Sequence, residues 1–144
     1  MYLSFREEFS LAPEAIFPYF RSPSEWAKLY GLVKPTKTLE DGWHIISLKK
    51  APFPLKAKNV LYEQDRRVRW IFGGFWRGMG EVNFCAAGKT TVVEGFEYIV
   101  PHGAWVFSGL VERRFMEREF RRIWALGWER IRKGKGGPPV SLAT

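Results

Sequence analysis

One acidic residue lies on a strand face that is otherwise apolar. Residues 90–100 alternate in the manner of a β-strand, and Glu94 falls on the same face as Val92, Phe96 and Tyr98. A carboxylate on an inward face is costly unless it is paired, hydrogen-bonded or protonated. Glu94 is therefore a candidate for orienting the polar group of a bound molecule.

Arg113 is the candidate partner of this carboxylate. It falls on the apolar stripe of the predicted C-terminal helix. We expect Glu94 and Arg113 to meet inside a cavity or at its mouth. The alternative is a β-bulge after Gly88, which would reverse the alternation and leave Glu94 in water.

The other residue types that support catalysis lack partners in the sequence. His44 and His102 are the only histidines, and no acidic pattern accompanies them as a metal site requires. His102 lies in a Pro-His-Gly loop, where it is either a solvated side chain or an acid–base group beside a cavity. Cys85 lacks a recognisable base and is expected to be a small buried side chain. We expect no metal and no cofactor.

Two glycine-containing segments fail the spacing of phosphate-binding loops. The Gly-Lys-Thr at 88–90 has Asn83 where the motif needs its first glycine, and it joins two strands. Segment 73–80 lacks the third glycine and the following helix of a dinucleotide site. We predict no nucleotide-binding loop.

Aromatic side chains make up 17% of the chain, and their placement predicts the lining of a pocket. Ligand cavities are mostly apolar with a few polar anchors. The alternative is that the same rings fill a packed core. The predicted ligand-binding residues are Trp70, Phe72, Phe84, Glu94, Phe96, Tyr98, Arg113, Met116, Phe120 and Trp124.

Length and composition restrict the class of protein. The 144 residues fit one domain, and the 46% hydrophobic content excludes a disordered chain. The longest uncharged stretch, 98–111, is too short for a transmembrane helix, and charges at 6–8 disfavour a signal peptide. A single cysteine excludes an intramolecular disulfide. These features predict a cytoplasmic protein, and its few side-chain amides resemble a thermophile's composition.

The net charge of +8 is concentrated near the C-terminus. Residues 112–135 contain nine Lys or Arg residues and four Glu residues. Such a segment suits nucleic acid or acidic lipid. The interleaved glutamates instead favour a salt-bridged surface, so nucleic acid is not the expected partner.

The predicted elements are a strand over 2–9, two short helices, about six strands and one long helix over 105–133. One of the six strands is predicted over 81–85, after a glycine-rich stretch at 73–80. Pro13 suits the first turn of a helix, and closely spaced short strands are typical of an antiparallel meander. We place a single domain at 1–133 and expect a disordered tail at 134–144. The apolar stripe of the long helix is formed by Met116, Phe120, Ile123, Trp124, Gly127 and Ile131.

This layout and a set of scattered positions resemble a known family. The positions are Ala12, Pro13, Phe17, Trp26, Trp70, Gly78, Gly80 and the turn at 88–90. They are similar to those of the START-like, polyketide-cyclase/dehydrase superfamily, whose members share the helix-grip fold of the birch-pollen allergen. The resemblance implies an α+β fold in which a curved antiparallel sheet wraps around a long C-terminal helix.

The resemblance also implies a function. A cavity between sheet and helix would bind an apolar or aromatic small molecule, such as a lipid, sterol, polyketide or quinone. One alternative is a cyclase or dehydrase that uses polar groups in the cavity, with Glu7, Glu94, Tyr98 and Arg113 as the candidates. Another is a packed scaffold that mediates protein contacts. Homodimerisation is compatible with every one of these functions.

Overall fold

The computed structural model describes residues 1–29, 37–47, 54–101 and 109–133, and the side chains of the last segment from residue 117 onward. Within these residues, seven strands form one antiparallel sheet in the order β1-β7-β6-β5-β4-β3-β2. The strands are β1 (Tyr2–Phe9), β2 (Lys37–Thr38), β3 (His44–Ile46), β4 (Leu55–Glu63), β5 (Arg67–Gly73), β6 (Trp76–Ala87) and β7 (Thr90–Pro101). The helices are α1 (Pro13–Ile16), a 3-10 turn (Phe17–Phe20), α2 (Pro23–Leu29) and α3 (Gly109–Lys133).

This architecture confirms the predicted α+β helix-grip fold. Pro13 begins α1 after an extended Ala12, a position where the missing N–H of proline costs nothing. The parts of the predicted strands and long helix at 30–36, 48–53 and 105–108 lie outside the described residues, as do His102 and the tail.

The long helix α3 lies on the inner face of the sheet. Three ring contacts fix its direction: Phe120 meets Trp76, Trp124 stacks on Trp70, and Trp128 meets Phe9. The helix therefore runs from the end of the sheet where β6 starts towards the end where β1 finishes. Trp128 was absent from the predicted stripe, but it is buried with the other contact residues.

The two faces of β7 are the reverse of the prediction. Val93, Glu97 and Ile99 are buried under the helix, whereas Glu94 and Tyr98 are exposed on the opposite face. No bulge causes this, because the pairing of β6 with β7 is continuous over the whole of β7. The reason is that both faces carry apolar residues, so the period of two defines the faces without showing which is inward.

Two further predictions are wrong in detail. The strand predicted over 81–85 begins five residues earlier, at Trp76, because the glycines at 78 and 80 belong to the strand rather than to a loop. Cys85 is exposed on the outer face instead of buried.

Candidate functional site

The candidate site is built on one row of residues across the sheet. Trp70 on β5 pairs with Gly80 on β6, and Gly80 pairs with Glu97 on β7. Residues that pair across neighbouring strands have side chains on the same face, and adjacent strands lie about 4.8 Å apart. The row therefore points a Trp and a Glu into the space under α3.

Gly80 makes room for the indole of Trp70. A Cβ at this position would lie 2.6 Å from Trp70 Nε1, closer than real Cβ contacts allow. The indole of Trp70 thus lies over β6, one strand spacing from Glu97. Its N–H is buried and has no hydrogen-bond partner among the described residues.

Glu97 is the acidic residue that the structure buries. Only 3% of its surface is exposed, and among the described residues no other charged residue is classed as buried. Trp124 Nε1 donates a hydrogen bond to Glu97 Oε2 at 3.0 Å. Burial raises the pKa of Glu97 to about 8, and the hydrogen bond from Trp124 opposes that rise. The carboxyl group therefore retains its proton at neutral pH.

On one side of Glu97 the interior is an aromatic core. Trp124 stacks on Phe5 at 4.7 Å and on Trp128 at 5.2 Å between ring centroids. Phe84 contacts Phe17 edge-on at 5.3 Å. These rings contact one another directly, so the space under the C-terminal half of α3 is filled by side chains.

On the other side of Glu97 the sheet presents a second apolar surface. Phe72, Trp76 and Ile99 are buried on the inner face there. The direction of α3 carries residues 109–116 over this end of the sheet. Glu97 and Trp70 thus lie at the boundary between the aromatic core and the part of the interior nearest the start of α3.

The predicted site residues divide between the two faces. Those that are buried on the inner face or against it are Trp70, Phe72, Phe84, Phe120 and Trp124. Those on the outer face are Glu94, Phe96 and Tyr98. Arg113 and Met116 lie on α3, and their side chains are outside the described part.

The predicted inward position of Glu94 is therefore wrong. Its carboxylate lies 3.7 Å from Arg6 Nε, with half of the Glu94 side chain exposed. Phe96 stacks on the exposed ring of Tyr2 at 6.0 Å, on the same outer face. The outer position of Glu94 excludes the expected meeting with Arg113 under the helix.

Sequence reasoning missed Glu97, although a signal for it was present. Thr91, Val93, Glu97 and Ile99 form one face of β7 that carries a single acid. The opposite face, which was predicted to point inward, also carries a single acid. The glycine at 80 is the clue, because a strand glycine often marks a close approach of another group. Here that group is the indole of Trp70.

His44 has partners that the sequence did not reveal. Its Nδ1 lies 2.7 Å from Ser24 Oγ and 3.2 Å from Thr38 Oγ1. Burial lowers the pKa of His44, so the neutral ring is favoured. The contacts join α2 to the β2–β3 edge, and no cluster of metal-ligating side chains occurs in the described ranges.

The glutamates of α3 pair with its basic residues. Glu117 binds Arg121 at 3.1 Å and Glu119 binds Arg122 at 3.0 Å, while Arg132 pairs with Glu7 on β1. These pairs neutralise much of the basic surface locally. None of the helices in the described ranges is long and apolar enough to cross a membrane.

Comparison with known proteins finds the fold but no family. No protein-family model matches the sequence, and no curated protein is significantly similar. A conserved protein from Geobacillus kaustophilus has a similar structure, with a TM-score of 0.71 and 12% identity, covering 94% of this chain and 95% of that one.

Two further solved structures are similar along nearly their whole length. DR_A0006 from Deinococcus radiodurans has a TM-score of 0.62 and 14% identity, covering 93% of this chain and 99% of its own. The Aha1 dimer from Colwellia psychrerythraea has a TM-score of 0.64 and 11% identity, covering 94% and 98%. At these identities the similarity establishes the fold and carries no function.

Proposed function

We propose that the protein binds an apolar or aromatic small molecule non-covalently between the sheet and the start of α3. The observation that carries the proposal is the position of Glu97. Its buried carboxyl accepts a hydrogen bond from Trp124 and lies about one strand spacing from Trp70, whose indole N–H is unpaired among the described residues. An apolar site with a few convergent polar groups is the usual composition of a small-molecule pocket. In this proposal the chain is a START-like protein.

The packing of the interior limits where such a ligand would lie. Because aromatic side chains fill the space under the second half of α3, a ligand would instead contact the surface formed by Phe72, Trp76 and Ile99. The ring of Phe120 packs edge-on against the ring of Trp76, with 6.4 Å between the ring centroids, and so bounds this surface on the side of the helix. Glu97 then forms the polar end of an otherwise apolar site.

Native mass spectrometry of the purified protein tests the proposal. We expect a co-purifying apolar molecule that is lost on denaturation and solvent extraction. Titration with the neutral dye Nile red, after extraction, should show one saturable site per chain. Absence of both a bound molecule and saturable dye binding would overturn the proposal.

A matched pair of variants locates the site. Ile99→Trp fills the proposed position and should weaken dye binding at least tenfold, whereas Tyr98→Trp alters the adjacent residue on the outer face and should leave it unchanged. Circular dichroism confirms that both variants fold. The opposite result would place the dye on the exposed face instead.

A second candidate function is acid–base catalysis of the cyclase or dehydrase type. The specific observation is again Glu97, because burial raises the pKa of this carboxyl to about 8, within the range of general acids at neutral pH. The test is deuterium exchange into the methyl group of 2-acetylnaphthalene in D₂O, measured by NMR. In this reaction Glu97 gives its deuteron to the ketone oxygen while water removes a methyl proton, and the enol takes up deuterium from the solvent at carbon as it returns the oxygen-bound deuteron to Glu97. Exchange above background that disappears in Glu97→Gln favours catalysis, and exchange at the background rate favours binding alone.

Self-association is part of the same proposal. The Colwellia psychrerythraea protein of similar fold is described as a dimer. We expect light scattering behind a sizing column to give the mass of a dimer at micromolar concentration. A monomer mass across the accessible concentrations would end this part of the proposal.

A further inference from the structure

The row formed by Trp70, Gly80 and Glu97 carries hydrogen-bond donors that lack acceptors among the described residues. Trp124 gives its indole N–H to one oxygen of Glu97. Trp70 has a buried N–H with no partner in the described part of the chain. A protonated Glu97 adds an O–H, and Trp124 is its only hydrogen-bond partner among the described residues. Two donors are thus left without an acceptor.

The nearest unpaired acceptor in the row does not meet these donors. Asn59 on β4 pairs in register with Trp70, and its Oδ1 is also unpaired in the described part. Its Nδ2 donates to the carbonyl of Arg21 at 2.8 Å, which fixes the amide. Asn59 and Glu97 are three strands apart, about 14 Å. The indole of Trp70 leans the other way, over Gly80.

An unpaired buried donor costs about 1–3 kcal/mol, so an acceptor that reaches both groups is strongly favoured. An anionic acceptor would be poorly solvated here, because aromatic and aliphatic side chains surround Glu97 in the described structure. A cationic ligand would find donors rather than acceptors. The remaining class is a neutral oxygen acceptor.

We propose that Glu97 and Trp70 together bind the carbonyl oxygen of a neutral ligand, such as a ketone, ester or quinone. The inference rests on the proposed function and specifies the polar end of its ligand. Glu97 donates its O–H and Trp70 its N–H to the two lone pairs of the same oxygen. Trp124 holds the carboxyl in place through the other carboxyl oxygen.

Three ligands of one size and different polarity test this inference. These are 2-acetylnaphthalene, 2-ethylnaphthalene and 2-naphthoate, each titrated into the ligand-free protein by calorimetry at pH 6.5. We expect the ketone to bind at least tenfold more tightly than the hydrocarbon and than the carboxylate. Equal binding of ketone and hydrocarbon, or preference for the carboxylate, overturns the inference and leaves apolar binding intact. Failure of all three to bind overturns the inference alone if a co-purifying molecule or saturable Nile red binding is observed, and the proposed function as well if both are absent.

Variants of the two donors complete the test. Glu97→Leu and Trp70→Phe each remove one donor and keep an apolar side chain of similar shape, so each should reduce the preference for the ketone several-fold. The measured quantity is the ratio of the ketone affinity to the 2-ethylnaphthalene affinity in each variant, so a loss common to both ligands does not count as support. Glu94→Leu is the control on the outer face and should retain the full preference. If the preference persists in both inner variants, these residues do not bind the carbonyl. Trp70→Phe decides alone if Glu97→Leu does not fold.

Discussion

Glu94 and Glu97 lie three residues apart on the same strand and experience opposite environments. Glu94 lies on the outer face, half exposed, beside Arg6. Glu97 lies on the inner face, under α3, with an indole N–H as its partner. The residue type and the strand are the same, so the difference comes entirely from which face each residue occupies.

Glu81 extends this comparison across the two faces. It lies on the outer face of β6 and binds Arg69 at 2.6 Å. Burial acts to raise the pKa of Glu81, but hydrogen bonds from Asn83 and Arg69 and the charges of Arg69 and Arg67 outweigh it and lower that pKa. At Glu97 burial dominates and the pKa rises to about 8. The outer face therefore keeps the Glu81 carboxylate charged, whereas the inner face keeps the Glu97 carboxyl neutral.

The largest loss of stability caused by a substitution is expected on filling the space over Gly80. Gly80→Val places side-chain atoms where the indole of Trp70 lies, so the protein should lose about 3 kcal/mol of unfolding free energy. Urea denaturation measures the loss. Gly127→Ala is the control, because its Cβ would meet Leu29 at an ordinary 3.5 Å and should stabilise α3 by up to about 1 kcal/mol. Equal effects at the two glycines would contradict the close approach of Trp70.

Glu97 is expected to make the unfolding free energy depend strongly on pH, and replacing its carboxyl should stabilise the protein at high pH. In the unfolded chain the pKa of the Glu97 carboxyl is near its ordinary value of 4.5, and in the folded protein it is about 8, so between these pH values only the folded protein retains the proton. The unfolding free energy therefore falls as pH rises through this window, by up to roughly 5 kcal/mol. Glu97→Gln removes this slope: the variant should match the wild type near pH 4.5 and be more stable at pH 8. If the unfolding free energies of the wild type and of Glu97→Gln changed in parallel with pH, the raised pKa of Glu97 would be contradicted.

Glu81 should show the opposite slope. Because the folded pKa of Glu81 is lowered, its contribution is present above the unfolded pKa and is lost as pH falls through the folded one. Glu81→Gln should cost about 1 kcal/mol at pH 7 and nothing at pH 2. Thermal melts across this pH range measure the difference. A variant that is more stable than the wild type at pH 7 would place Glu81 in an environment like that of Glu97.

The smallest effect is expected at Glu94. Its pair with Arg6 is long and solvated, so Glu94→Gln should change the unfolding free energy by less than about 0.5 kcal/mol at pH 7. The same denaturation series provides the measurement. A loss of more than about 1 kcal/mol would contradict the solvated position of Glu94.

The order of elements could be predicted from the sequence, because strand alternation and helical spacing are local properties. The strand over 2–9 and the start of the first helix at Pro13 are confirmed at the residue level. The long helix was predicted with most of its buried stripe, although Trp128 was missed. These features follow from neighbouring residues alone.

The identity of the buried carboxyl could not be predicted in the same way. Both faces of β7 carry one central acid and several apolar residues, so their patterns are nearly equivalent. Which face is inward depends on pairing with β6, where Gly80 admits an indole from β5 beside Glu97. Predicting the inward face therefore requires the relative positions of residues on three strands, β5, β6 and β7. The buried aromatics were easier to predict, since Trp70 and Phe72 share a strand face with Val68, and the opposite face carries Arg67 and Arg69.

The central claim is that Glu97 is a neutral, buried carboxyl at neutral pH. The most direct measurement is an NMR titration of the side-chain carboxyl carbons in protein labelled with ¹³C at glutamate, with Glu97→Gln to assign the signal. The account predicts one carboxyl with a midpoint near pH 8, absent from the variant, while the signal of Glu81 titrates below the ordinary range. A Glu97 signal that titrates near pH 4.5 would contradict the claim and remove the basis for the proposed site.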